Sequence, residues 1–132
     1  MEIELYETED GKCPVSDYLD SLNDKLKAKT LRTIDLLEKN GQALRKPYSE
    51  VLEDGIFELR TKQSTNITRI LYFFVIGNKA VLTNGFTKKS QKTPKKEIEL
   101  AKKYRKDYER RTKIWNFTRQ IVLEQKGIKN TV

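Results

Sequence analysis

The sequence predicts an α+β domain: an antiparallel sheet with two N-terminal helices and a C-terminal helix, in the order strand-helix-helix-strand-strand-strand-helix. Three observations predict it. Charged and apolar residues alternate at the N-terminus, three β-rich runs divided by turn residues fill the middle, and apolar residues recur at three-to-four spacing around them. A chain of 132 residues suffices for one domain with a modest core.

Glu2-Ile3-Glu4-Leu5-Tyr6 has the period of a half-exposed strand. Pro14 opens a short helix with Val15, Tyr18, Leu19 and Leu22 at helical spacing. A second helix starts near Asn23-Asp24, carries Leu26, Leu31, Ile34 and Leu37 mostly on one face, and stops at Asn40-Gly41. Residues 42–55 read as a loop, with Pro47 and Asp54-Gly55 as breakers. Ile56 to Thr61 is a strand with Phe57 and Leu59 on one face, Glu58 and Arg60 on the other. Lys62 to Asn66 connects it to Ile67–Ile76, an apolar run expected in the middle of the sheet. Gly77-Asn78 reads as a hairpin turn, and Ala80 to Phe86 returns as the next strand. The last helix begins at Pro94, with Ile98, Ala101, Tyr104 and Tyr108 facing inward.

Past Arg110-Arg111 the pattern restarts, with Ile114, Phe117, Ile121 and Val122 on one helical stripe and Trp115 beside it. The chain is therefore divided into a domain over 1–111 and a helical extension over 112–132. The extension either covers the core or offers a surface for self-association or a partner.

Charge is distributed unevenly. Residues 1–60 carry 9 Lys/Arg against 14 Asp/Glu, a net of −5, whereas residues 61–132 carry 18 against 5, a net of +13. An acidic half joined to a strongly basic one points to a polyanion, nucleic acid before anionic membrane. No stretch is apolar enough to span a bilayer, and the N-terminus lacks the pattern of a signal peptide. Cys13 is the only cysteine, so an intrachain disulfide is impossible and a reducing cytoplasm is expected.

The densest basic stretch is Gly85-Phe86-Thr87-Lys88-Lys89-Ser90-Gln91-Lys92-Thr93-Pro94-Lys95-Lys96, five lysines without a carboxylate. Thr93 reads as an N-cap and Pro94 as the first helical residue. Lys95 and Lys96 then fall in the first turn, where the helix dipole favours anions. A phosphate near Lys92, Lys95 and Lys96 would relieve that conflict; solvated surface lysines are the plainer reading. Lys102, Lys103, Arg105, Lys106, Arg110 and Arg111 make the following helix basic, a surface that either tracks phosphates, with Lys102 and Lys106 in contact, or merely faces solvent.

There is no histidine. Its absence removes Ser-His and Cys-His nucleophilic systems and most zinc sites, so acid–base work falls to Lys, Arg, Tyr, Asp or Glu. No Gly-rich phosphate loop or dinucleotide fingerprint occurs, and neither metal nor cofactor is expected.

The element order, Ile56-Phe57-Glu58-Leu59-Arg60, Thr68-Arg69-Ile70-Leu71-Tyr72-Phe73 and the Gly85–Pro94 stretch together resemble the RelE/ParE toxin superfamily, and within it the phage-derived HigB-type branch. The resemblance covers residues 1 to about 110. It implies a RelE-like fold and the toxin of a type II toxin-antitoxin system. It further implies a metal-independent endoribonuclease that cuts messenger RNA on the ribosome, with a helix-turn-helix, HigA-like antitoxin as partner. Arg60 and Arg69 match the family's basic sheet positions, and Lys88 and Lys89 its basic pair after the final strand. These four are the catalytic candidates. Family members also use a tyrosine or histidine near the C-terminus; neither Tyr104 nor Tyr108 aligns to that role.

In such a reaction the RNA 2′-hydroxyl is the nucleophile, and the protein aligns it, stabilises charge on the phosphoryl oxygens and assists two proton transfers. Arg60 and Arg69 suit the phosphate as guanidinium forks, and Lys88 or Lys89 suits the base. Glu58 is either another base or the salt-bridge partner of Arg60 or Arg69. Two other functions stay open: a ParE-like toxin that binds DNA gyrase without cutting RNA, and a plain nucleic-acid-binding module.

Overall fold

The computed structural model describes residues 1–125 apart from Gly77 and Ser90, and for residues 114–123 the backbone alone. The elements are β1 (Glu2–Leu5), α1 (Pro14–Asp20), α2 (Asp24–Asn40), a 3₁₀ turn (Gly41–Ala43), β2 (Ser49–Val51), β3 (Phe57–Gln63), β4 (Asn66–Val75), β5 (Lys79–Lys88) and α3 (Lys95–Gln125). The five strands form one sheet in the order β1-β5-β4-β3-β2. Alternation along β4 splits the core in two. Ile70, Tyr72 and Phe74 face α1 and α2, while Leu71, Phe73 and Val75 face α3. The apolar run at 67–76 is thus central because both of its faces are covered.

The α+β class holds, but the architecture differs from the expected one in three respects. The sheet is mixed, since β1 pairs parallel to β5 while the other pairs are antiparallel. The order gains a strand, because an extra one stands in the stretch after α2 read as a loop. That strand, β2, has three residues, and its Val51 side chain is 67% exposed, so no alternation announces it. β3 and β5 also run longer than expected and β4 begins one residue early, so that β3 and β4 meet at a two-residue turn where Ser64 takes a positive φ.

α2 begins where expected: the Asn23 side chain accepts from the Leu26 N–H at 2.9 Å, and Gly41 ends the helix with φ +55°. Its buried stripe is Leu26, Thr30, Thr33 and Leu37, whereas Leu31 is 41% exposed. The threonines are satisfied inside. Thr30 donates to the Leu26 carbonyl and lies 3.1 Å from the Thr68 hydroxyl, and Thr61 donates to Thr33 at 2.8 Å.

α3 packs Ile98 and Ala101 into the core and stacks Tyr104 on Tyr6 at 4.6 Å. The same helix continues through residue 111 to Gln125 without a break. The stripe of Ile114, Phe117, Ile121 and Val122 lies on side chains outside those described, as does the Gly77 half of the hairpin turn. Asn78, the other half, has φ +71°.

Candidate phosphate-binding site

The β3–β4 register sets Arg60 directly opposite Arg69, with Phe86 of β5 next in line, on the face covered by α3. Two like charges in a cross-strand pair repel unless something lies between them. Glu58 does so, two residues before Arg60 and therefore on the same face. It accepts from Arg60 Nε through Oε1, which is also 3.7 Å from Arg69 Nη1, and its Oε2 accepts from the Thr93 hydroxyl. Glu58 and Arg69 are both fully buried, while the Arg60 side chain is 18% exposed and makes a second ion pair with Glu50 at 2.8 Å. Burial pulls the Arg69 guanidinium below its ordinary pKa; the Glu58 charge opposes that shift and the neighbouring Arg60 adds to it.

The two guanidinium groups converge on one atom. Arg60 Nη2 donates to the Gln91 carbonyl oxygen at 2.7 Å, and Arg69 Nη1 donates to the same oxygen at 3.1 Å. Arg69 Nη1 also donates to Thr93 Oγ1 at 3.3 Å, and Arg60 Nη1 to Gln91 Oε1 at 3.3 Å. Arg69 Nε and Nη2 have no hydrogen-bond acceptor among the described residues.

Thr93 is therefore no helix cap. Its hydroxyl is taken by Glu58 and Arg69, and the first helical carbonyl is that of Pro94, which accepts from the Glu97 and Ile98 N–H groups. Pro94 thus stands just outside α3 rather than at its first position. Lys95 and Lys96 remain in the first turn, exposed, with Glu97 beside them to offset part of the dipole conflict.

Lys88 closes β5 in register with Ile67 and Lys62, on the same face as Arg60 and Arg69. Lys88 and Lys89 are exposed and have no ion-pair partner among the described residues; Lys92 is exposed on the loop below them. Lys62 was not a candidate from sequence. Its signal was its place two residues after Arg60, hidden because the strand was expected to end at Thr61.

The α3 lysines divide. Lys106 is exposed on the outer face, but Lys102 is turned to Glu53, Asp54 and Glu99 at 2.9, 3.0 and 3.5 Å. Those carboxylates, by hydrogen bond first, hold its ammonium well above the ordinary lysine pKa. Lys102 thus fastens α3 to the turn before β3 and is not grouped with the arginines.

Gly85, which opens the basic motif, has a packing reason. A Cβ there would lie 2.8 and 2.9 Å from two Tyr18 ring atoms and closer to a third. The ring lies on the strand with its hydroxyl 2.6 Å from Thr87 Oγ1.

Among the described residues no three His, Cys, Asp or Glu side chains gather as a metal site, and no helix is long and apolar enough to cross a membrane. No curated protein matches the chain. A family described as phage derived protein Gp49-like (DUF891) matches residues 17–106, from α1 into α3, and so takes in Arg60, Arg69, Lys88, Lys89 and the Gln91–Thr93 segment. That is about two thirds of the chain, and the chain belongs to this Gp49-like family, a family of RelE/HigB-like toxins.

Proposed function

We propose that this protein is the toxin of a toxin-antitoxin pair and cuts messenger RNA on the ribosome through the RNA's own 2′-hydroxyl. The observation that carries the reading is the convergence of Arg60 and Arg69 on the Gln91 carbonyl oxygen. Two guanidinium donors aimed at one oxygen resemble the arrangement that stabilises charge on a phosphoryl oxygen. The chain's own carbonyl takes that place here, so the segment around Gln91 must withdraw before a phosphate reaches Arg69.

With a phosphate there, the 2′-oxygen attacks phosphorus and the bond to the 5′-oxygen breaks. The leaving 5′-oxygen takes a proton from the surrounding solvent as the 2′-oxygen gives up its own, so the products are a 2′,3′-cyclic phosphate and a 5′-hydroxyl with no net consumption of water. Lys88, exposed on the same sheet face, is best placed to take the 2′-proton, which it does as the neutral amine, becoming the ammonium. Glu58 is not, because its oxygens are committed to Arg60, Arg69 and Thr93 inside the fold. It holds the arginines in place. Membership of a toxin family implies an antitoxin that restrains this chemistry.

One observation favours a non-nucleolytic toxin, such as a gyrase binder: Arg69 is fully buried and its charge is met by Glu58. Brief induction followed by primer extension, with translation running or blocked, separates the two. Cuts within translated frames that vanish when translation is blocked are expected. Intact transcripts with altered DNA supercoiling would overturn the nuclease reading.

A further inference from the structure

Beyond β2's last pairing the edge of β3 is open, and a groove of about 440 Å³ runs around it from the Arg60 site to α2. Arg60, Lys62, Ile67 and Gln91 line one side, Lys29 of α2 and Tyr48 the other. Ligand pockets of this size hold a small organic group. Among the described residues the lining contains three cations and no carboxylate.

The parts are held in place. Lys29 Nζ donates to the Lys62 carbonyl at 2.6 Å, which fixes its ammonium at the groove wall and leaves two of its protons for another acceptor. Arg60 is shared with Glu50 and Glu58, so Lys29 and Lys62 supply the charge not already offset. The backbone of Tyr48 is pinned at both groups: its N–H donates to the Arg45 carbonyl and its carbonyl accepts from the Arg60 N–H at 2.8 Å. Tyr48 as a whole is nonetheless 44% exposed. An aromatic ring presented to solvent from an anchored backbone, beside fixed cations, is the combination on which single-stranded nucleic acids stack.

We infer that this groove is a nucleotide subsite for the RNA strand flanking the cut: Tyr48 stacks one base while Lys29 and Lys62 hold the adjoining phosphates. The inference rests on the RNA-cleaving reading and extends it, because Arg60 and Gln91 belong to both the groove and the phosphate site. It makes the toxin a gripper of strand as well as of the scissile phosphate, with selectivity for an unstacked base.

The test measures binding of a short single-stranded RNA, 2′-O-methylated so that it cannot be cut, with 2-aminopurine at each position in turn. The full chain should quench one position. Tyr48→Ala should abolish that quench and weaken binding roughly ten-fold, as loss of a base–aromatic stack does, while Tyr48→Phe keeps both. Lys29→Ala with Lys62→Ala should lower the slope of log affinity against log salt by about 1.4, which Lys39→Ala at the far end of α2 should not. Unchanged quench and affinity in Tyr48→Ala would overturn the proposal, as would an undetectable complex with the full chain at low salt. Tighter binding of a polyglutamate peptide, lost in the double lysine variant, would give the groove to an acidic protein segment instead. Because the RNA is uncleavable, these results judge the groove alone. Binding that survives while transcripts stay uncut in cells would overturn only the nuclease reading.

Discussion

Replacing Glu58 by glutamine tests whether this carboxylate is a structural counter-ion or a catalytic base. The change keeps shape and most hydrogen bonds, since the amide oxygen still accepts from Arg60 Nε and the Thr93 hydroxyl can turn to accept from the amide nitrogen. What disappears is the charge. Arg60 retains Glu50 at 2.8 Å and the Gln91 carbonyl, so its loss is small. Arg69 keeps only neutral acceptors, the Gln91 carbonyl and Thr93, while two of its nitrogens already have none. Removing one member of a buried ion pair costs about 3–5 kcal/mol, and the remaining acceptors place Glu58→Gln at roughly 3–4 kcal/mol. That is a large share of the roughly 5–15 kcal/mol that holds a domain together. Urea unfolding reads it as a lower midpoint at unchanged slope. The double change Glu58→Leu with Arg69→Met removes both charges and should recover most of the loss. A destabilisation below about 1 kcal/mol in Glu58→Gln, with cleavage falling more than about a hundred-fold, would refute the counter-ion account and make Glu58 the base.

Three other outcomes are expected. Gly85→Ala drives a methyl into the Tyr18 ring and should destabilise by about 1–3 kcal/mol in urea, and by much less in a Tyr18→Ala background. Burial first, then the hydrogen bond to Asp107, push the Tyr6 phenol up to about 12. A raised folded pKa favours the neutral phenol, so this contribution, roughly 2–3 kcal/mol, is complete below pH 10 and lost as pH rises through 12; Tyr6→Phe should flatten that alkaline limb of stability against pH. Arg60→Ala should leave a folded protein with cleavage reduced by roughly a hundred-fold or more, whereas Lys102→Ala should leave RNA affinity and its salt slope unchanged, because its ammonium is held by Glu53 and Asp54.

Local pattern made the helices and the central strands legible, and pairing at a distance was not. The alternation of β4 and the N-cap at Asn23 are properties of a few neighbouring residues, and both stand in the structure. The parallel docking of β1 on β5 joins residues more than seventy positions apart, and no short-range signal carries it. Thr30 and Thr33 look polar, so a hydrophobic stripe drawn through α2 picks Leu31 in their place; only the hydroxyls of Thr61 and Thr68 make the threonines good core residues. At the site, Arg60 and Arg69 could be named from sequence, but Gln91 and Thr93 could not. Their part is played by a backbone carbonyl and by a hydroxyl that reads as a helix cap.

The division into an acidic and a basic half takes on a different meaning once the chain is folded. Many carboxylates of the first half meet cations of the second: Glu4 pairs with Lys79, Glu9 with Arg110, Glu53 and Asp54 with Lys102, and Glu58 with Arg69. The asymmetry is partly a set of internal pairs that tie the N-terminal elements to the sheet and to α3. Within residues 61–132, the exposed lysines among the described residues that no such pair absorbs fall at 62, 88, 89, 95, 96, 103, 106 and 113, from the end of β3 along the loop before α3 to its outer face. Charge neutralised by a carboxylate attracts no phosphate, so the polyanion footprint shrinks from half of the chain to this band beside Arg60 and Arg69. A band of that kind would draw RNA in without choosing among sequences, and would leave selectivity to whatever holds a base next to the cut.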